Sequence, residues 1–233
     1  LVDAVRIHDL DIDAPPDAVD VKGRTFLGYP RLELRYEDLL RSYYSGPRGV
    51  VVSAKLDLAD AVTGSRVDFT RAALSVDFHR GFFDRRIDYQ HVLHLGVDLS
   101  WMEGRGGDDV PLFERAYLGG PRTFPGFAYR RLGPRQGKTP VGGEGAVYGA
   151  VDYSFPLFRP ELRGFGVFEW GDIEPSFSKI STGSFRTAAG GGVMIRLKIG
   201  PQYLPATLYW VQALSSERGD REQLFSFTVG LGF

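Results

Sequence analysis

Asp152 and Glu169 are the residues in this chain that could share acid–base work, one carboxylic acid giving a proton and one carboxylate taking it. The rest of an enzyme's equipment is missing around them. The 233 residues contain no cysteine, which removes thiolate nucleophiles, cysteine zinc sites and disulfide scaffolds. No nucleophile-elbow serine pattern occurs. His91 and His94 lie three apart, which on a strand places them on opposite faces, so they do not read as a metal pair. His8 and His79 are isolated and read as interior or turn residues. Gly143-Glu144-Gly145, followed by Gly149, has the glycine content of a phosphate loop but runs into a strand pattern instead of a helix N-terminus. A net charge of −1 gives no electrostatic footprint for nucleic acid. The expectation is a protein that is not an enzyme, with neither cofactor nor metal.

The other unusual stretch is Gly119-Gly120-Pro121-Arg122-Thr123-Phe124-Pro125-Gly126-Phe127. It sits in the longest region without strand-like alternation, about residues 103–143. Pro125 fixes φ ahead of Gly126 and stiffens a turn there.

The elements that must position these residues are strands. Period 2 dominates and helical periodicity is nearly absent. Phe225, Phe227, Val229, Leu231 and Phe233 share one face of the last segment, opposite Ser226, Thr228, Gly230 and Gly232. Leu93, Leu95, Val97, Leu99 and Trp101 likewise oppose His94, Gly96 and Asp98. Val193, Ile195, Leu197 and Ile199 oppose Gly190, Gly192, Arg196 and Lys198. The pattern predicts about ten strands, over roughly 2–12, 27–36, 48–59, 67–80, 86–102, 144–156, 162–171, 184–199, 202–214 and 223–233. Many of these are longer than the roughly 5–6 residues usual in soluble sheets and suit a tilted membrane strand of about 9–11. From the long loop onward the connections alternate short and long, as the two ends of an outer-membrane barrel do. Residues 37–47 should then form a turn at the short-loop end, though a long one.

Together these observations predict an all-β, transmembrane antiparallel β-barrel, formed by residues 1–233 as one domain. In lipid a sheet must close so that every backbone group is paired. Charges such as Lys55, Asp98, Arg196 and Lys198 then belong on the lumen face, and aromatic residues at strand ends, Trp101 and Phe233, at the interface. A soluble sandwich or ligand-binding barrel is the competing reading of the same alternation. The run Gly190-Gly191-Gly192 suggests a bend or a close approach in a curved sheet. The start carries neither an initiator Met nor a leader pattern, so Leu1 reads as a cut end.

The order of these pieces resembles the C-terminal barrel portion of the BamA/TamA superfamily of outer-membrane assembly and translocation proteins, the bacterial surface-antigen type. Gly119-Gly120 match the glycine pair of its sixth extracellular loop, and Gly126-Phe127 match the loop tip. Asp152 to Leu157 match a strand with an acidic residue before an aromatic-Pro-Leu ending. Phe168 to Asp172, a glycine-rich strand, Gly200-Pro201 and a final strand ending in Phe follow in the family's order. One position departs: where the family carries an Arg before the tip glycine, this chain has Pro125.

The resemblance implies a sixteen-stranded barrel of which five strands follow the loop. It places Leu1 near the seventh strand, with the earlier strands and any periplasmic repeats outside this sequence. It also implies that the loop enters the lumen and that its arginine pairs with wall carboxylates, here Asp152 and Glu169. The expectation is that Arg122 or Arg130, or else Arg131, takes over that charge; the alternative is a lumen wet enough to leave the carboxylates unpaired. The implied function is assembly or insertion of outer-membrane proteins, with unfolded outer-membrane proteins, outer-membrane lipid and possible periplasmic or lipoprotein accessory subunits as partners, in the outer membrane of a Gram-negative-type bacterium. The last strand, with Phe225, Phe227, Val229, Leu231 and Phe233, would form a weak seam or simply close the barrel. A two-partner-secretion translocator, and a passive pore or membrane anchor, are the alternatives.

Overall fold

A computed structural model describes residues 2–7, 23–40, 48–83, 85–86, 89–199 and 202–229. Strands β1 (Val2–Ile7) and β2 (Gly23–Gly28) form a two-stranded antiparallel sheet of their own. The large sheet begins with β3 (Arg31–Leu40), β4 (Arg48–Ala59), β5 (Phe69–Phe82) and β6 (His91–Gly104). After a long loop, which carries a two-residue hairpin of β7 (Arg135–Gln136) and β8 (Thr139–Pro140), it continues. Its remaining strands are β9 (Gly145–Arg159), β10 (Leu162–Glu174), β11 (Arg186–Ile199), β12 (Gln202–Ser215) and β13 (Phe225–Val229). The order is a nine-stranded meander, β13-β12-β11-β10-β9-β6-β5-β4-β3, with every pair antiparallel.

The alternation read from the sequence divides this sheet into two chemically different faces. One presents Leu32, Leu34 and Tyr36 of β3, Leu74 and Phe78 of β5, and Val193, Ile195 and Leu197 of β11, all exposed. Leu208, Trp210, Phe225, Phe227 and Val229 continue the same surface across β12 and β13. An apolar surface of this extent is not tolerated by water but is matched to acyl chains. The opposite face carries Lys55, Asp57, Arg71, Asp77, His94, Asp152, Glu169 and Arg186, most of them held in ion pairs or hydrogen bonds. Apart from the hairpin, β3 to β12 run from 10 to 15 residues, enough to cross a bilayer at a tilt. Among the described residues no helix is long and apolar enough to cross a membrane.

The connections 60–68, 105–144, 175–185 and 216–224 lie at one end of the sheet, and those at the other end include the two-residue link 160–161. Two apolar clusters fill the inside at the long-loop end. One holds Leu27, Tyr29, Ala59, Phe69, Met102 and Val110. The other gathers Leu118, Phe124, Phe127 and Leu132 of the loop against Ala146, Ile173, Ala188, Tyr209 and Val211 of the wall.

The N-terminal part differs from the strand pattern expected there. The segment expected to be one strand over 27–36 is broken at Tyr29-Pro30, so β2 ends before it and β3 starts after it. Pro30 has no N–H to give to a ladder. Tyr29 turns inward, 5% exposed, and meets the Phe69 ring edge-on at 6.0 Å. Four strands of the large sheet therefore precede the long loop and five follow it. The 2–12 segment contributes β1 outside that sheet, and β3 extends to Leu40 where a turn was expected from residue 37. Leu231, Phe233 and His8 lie outside the described residues.

Candidate functional site: the long loop and the inner wall

The long loop is fastened first at its stem. Asp57, 1% exposed, takes two hydrogen bonds from Arg31 at 2.7 and 2.8 Å and faces Arg71 at 3.4 Å. Arg71 in turn binds the Glu114 carboxylate and donates to the Glu114 carbonyl at 3.1 Å. A buried carboxylate is affordable only with such partners. This set ties β3, β4 and β5 to the start of the loop.

The tip is closed by backbone geometry that needs its glycine pair. Gly119 and Gly120 have φ of 105° and 97°, the left-handed region where a side chain strains the chain. The Gly120 carbonyl accepts from the Thr123 and Phe124 amides at 3.2 and 2.9 Å, and the Gly120 amide donates to the Phe127 carbonyl at 2.8 Å. Pro125 sits buried inside this closed turn and Arg122 projects from it, exposed. Phe124 and Phe127, both 0% exposed, meet edge-to-face at 4.9 Å, and Phe124 packs on Tyr148 of β9 at 5.5 Å. Gly126 lies so close to the wall that a Cβ there would come within 2.6 Å of the Ala188 Cβ and 3.4 Å of Val211 Cγ1. The tip is therefore in contact with β9, β11 and β12.

The wall carboxylates are placed on the inward face, but their partners differ from expectation. Asp152 Oδ2 binds His94 Nδ1 at 2.6 Å, and His94 Nε2 reaches Asp77 Oδ1 at 3.1 Å, a bridge across β5, β6 and β9. His79 stacks on the His94 ring at 4.3 Å. Glu169, 1% exposed, accepts from the Tyr148 hydroxyl at 2.7 Å through Oε1. The Gly126 amide turns toward the same carboxylate, yet Oε2 lacks a well-formed hydrogen bond. Among the described residues no cation pairs with Glu169. Arg122 is exposed; Arg130 lies over the Tyr117 ring at 4.6 Å; Arg131 Nη1 donates to the Lys138 carbonyl at 3.3 Å. None of the three takes the place of the arginine that Pro125 displaces. What the tip sets against the wall is Phe124, Gly126 and Phe127, while Arg122 and Arg130 are exposed.

A second polar centre escapes sequence reading. Arg186 of β11, 4% exposed at its side chain, binds Asp172, donates to Asp220 Oδ2 at 3.1 Å and donates to Glu217 Oε2 at 2.9 Å. Arg186 stands out in the sequence only as one polar residue on an alternating strand, and its loop partners are 31 and 34 positions away. On β13, Phe225, Phe227 and Val229 point outward, and the strand has β12 as its one neighbour among the described residues.

The sequence and the fold are both similar to those of known proteins. The Omp85 superfamily domain matches residues 35–233. The outer membrane protein assembly factor BamA of Nitratidesulfovibrio vulgaris is 22% identical over 163 residues, covering 69% of this chain and 20% of that protein. The sorting and assembly machinery component 50 homolog B of Xenopus laevis is 28% identical over 120 residues, 51% of this chain and 24% of that protein. The chain thus spans about a fifth to a quarter of the length of these relatives. The crystal structure of BamA from Haemophilus ducreyi lacking POTRA domains 1–3 superposes with a TM-score of 0.73 at 16% identity, over 89% of this chain and 43% of that one. CdiB from Acinetobacter baumannii does so with a TM-score of 0.56 at 14% identity, over 88% and 33%.

Proposed function

The chain belongs to the Omp85 superfamily, and from that premise we propose that it is barrel wall and lumen loop of an outer-membrane protein assembly factor. The observation that carries this reading is the long loop held on the inward face with Phe124, Gly126 and Phe127 against β9, β11 and β12. Beside that braced wall, β13 has β12 as its one neighbour among the described residues, and an incoming strand can add to such a sheet edge. The likeness to BamA and to sorting and assembly machinery proteins supports the same role.

In this reading the protein resides in the outer membrane of a Gram-negative-type bacterium and acts without catalysis. Its partners are unfolded outer-membrane proteins, the surrounding lipid and periplasmic or lipoprotein accessory subunits. Strand pairing at the sheet edge supplies the driving energy, because each backbone group left unpaired in lipid costs several kcal/mol. The likeness to CdiB supports a second reading, a translocator dedicated to one secreted protein.

Depletion of the protein in its own organism tests the proposal. Folded outer-membrane proteins are quantified by their heat-modifiable gel mobility. A joint fall of many unrelated barrels is expected. Unchanged barrels with one missing secreted cargo would replace this reading by the second.

A further inference from the structure

We infer that Arg186 is the positioning residue of the loop tip, acting through the 216–224 connection as a strap. Three backbone hydrogen bonds join strap and tip. Ala128 N donates to Arg221 O at 2.8 Å, Arg221 N to Arg131 O at 3.1 Å, and Gln223 N to Gly126 O at 3.0 Å. They make a short antiparallel bridge centred on Phe127 and Glu222. Such an isolated bridge between two loops has little stability of its own, so something must hold the strap in register.

That something is Asp220. Its side chain is 2% exposed; Oδ2 accepts from Arg186 Nε at 3.1 Å and from the Glu217 amide at 2.9 Å, while Oδ1 accepts from the Gly133 amide at 3.1 Å. One carboxylate thus joins wall, strap and loop. Arg186 is fixed on the wall side by the fully buried Asp172, itself bound by the Ser184 hydroxyl at 2.6 Å. A guanidinium suits this place because its planar fork serves several carboxylates at once, which a lysine ammonium cannot do in fixed geometry. The charge that steadies the tip is therefore not its own. Beside the packing of Phe124 and Phe127 on the wall, a charge on β11 acts on the tip, relayed through the strap that leads directly into β13. The inference concerns the resting architecture and does not depend on what the barrel assembles.

The test uses the absence of cysteine from these 233 residues. Ala128→Cys and Arg221→Cys are introduced together into the protein, and disulfide formation under mild oxidation is followed in membranes. Facing residues of a bridge fall within the Cα separation a disulfide accepts. Rapid cross-linking is expected in the otherwise unchanged protein, with a rate at least ~10-fold lower when Arg186→Gln or Asp220→Ala is added. Arg186→Lys should restore only part of the rate. The sheet itself, read by heat-modifiable mobility, should persist in Asp220→Ala, whose substitution lies outside the strands. If Arg186→Gln does not give a folded sheet, Asp220→Ala decides alone. An unchanged cross-linking rate in a folded Asp220→Ala or Arg186→Gln protein would overturn the inference.

Discussion

The Tyr148 hydroxyl donates a 2.7 Å hydrogen bond to Glu169 Oε1 across the β9–β10 ladder, and this is the best-formed hydrogen bond of a carboxylate that is 1% exposed. Tyr148→Phe removes it without changing the ring that packs on Phe124. A buried acceptor left without its donor costs about 1–3 kcal/mol. The unfolding midpoint of the purified barrel in detergent should fall accordingly, and the fall should disappear when Glu169→Leu, which removes the acceptor, is present, since the two residues act as one unit.

Gly126 sits where a methyl group has no room. The contact is with the Ala188 Cβ, which no rotamer change can move away. Gly126→Ala should therefore overpack the tip by about 1–3 kcal/mol. Ala188→Gly in the same protein should recover most of the loss. Thermal unfolding of the two single variants and the double variant checks the pairing, and additive losses would show that the tip is not seated on Ala188.

The arginines beside the tip should matter little. Arg122 is exposed and Arg130 lies over aromatic rings, so neither neutralises Asp152 or Glu169. Arg122→Ala is expected to stay within about 0.5 kcal/mol of the parent. Arg130→Ala should lose no more than the about 0.5–1 kcal/mol of an exposed cation–π contact. Denaturant midpoints of both variants measure this.

His94 bridges Asp77 and Asp152 from neighbouring strands, and His94→Ala leaves both carboxylates facing the space it filled. Asp77 and Asp152 are 40% and 28% exposed at their side chains, so water replaces part of what is lost. A destabilisation of about 1.5–2 kcal/mol is expected, the low end of the range of hydrogen bonds to charged groups. A double-mutant cycle with Asp152→Asn should show coupling.

The two faces of the sheet should respond oppositely to charge. Leu208, 55% exposed on the outward face, replaced by Arg should cost about 2–4 kcal/mol if its level is mid-bilayer. Lys55→Gln on the inward face, where Lys55 pairs with Glu33 at 3.4 Å and both are partly exposed, should be nearly neutral. Folding yields into liposomes compare the two.

The strands were legible because one face meets lipid and the other does not, so alternation persists over their full length. Phe225, Phe227 and Val229 illustrate it: their common face is fixed by period alone. The break at Tyr29-Pro30 is marked twice in the sequence: the apolar residues shift phase, from Leu27 and Tyr29 on odd positions to Leu32, Leu34 and Tyr36 on even ones, and Pro30 stands at the shift. A window that asks only for strand-forming residues runs across both signals. The order of Gly119-Gly120, the Gly126-Phe127 tip, Asp152 and Glu169 made the loop and wall recognisable as a set. Which groups pair inside was not legible, since His94 meets Asp152 at 58 positions' distance and Arg186 meets Asp220 at 34. Such partners are chosen by register and strand count. No local spacing encodes them.

Glu114 is bound to Arg71 on β5, and Gly126 rests against β11 and β12. The segment between them is thus a chord fixed at two points of an arc. The length of a chord determines how far its arc can spread. Residues 115–125 therefore act as a tie-bar for the sheet: they limit its flattening, and inserting or deleting residues there would open or tighten its curvature without touching a single strand.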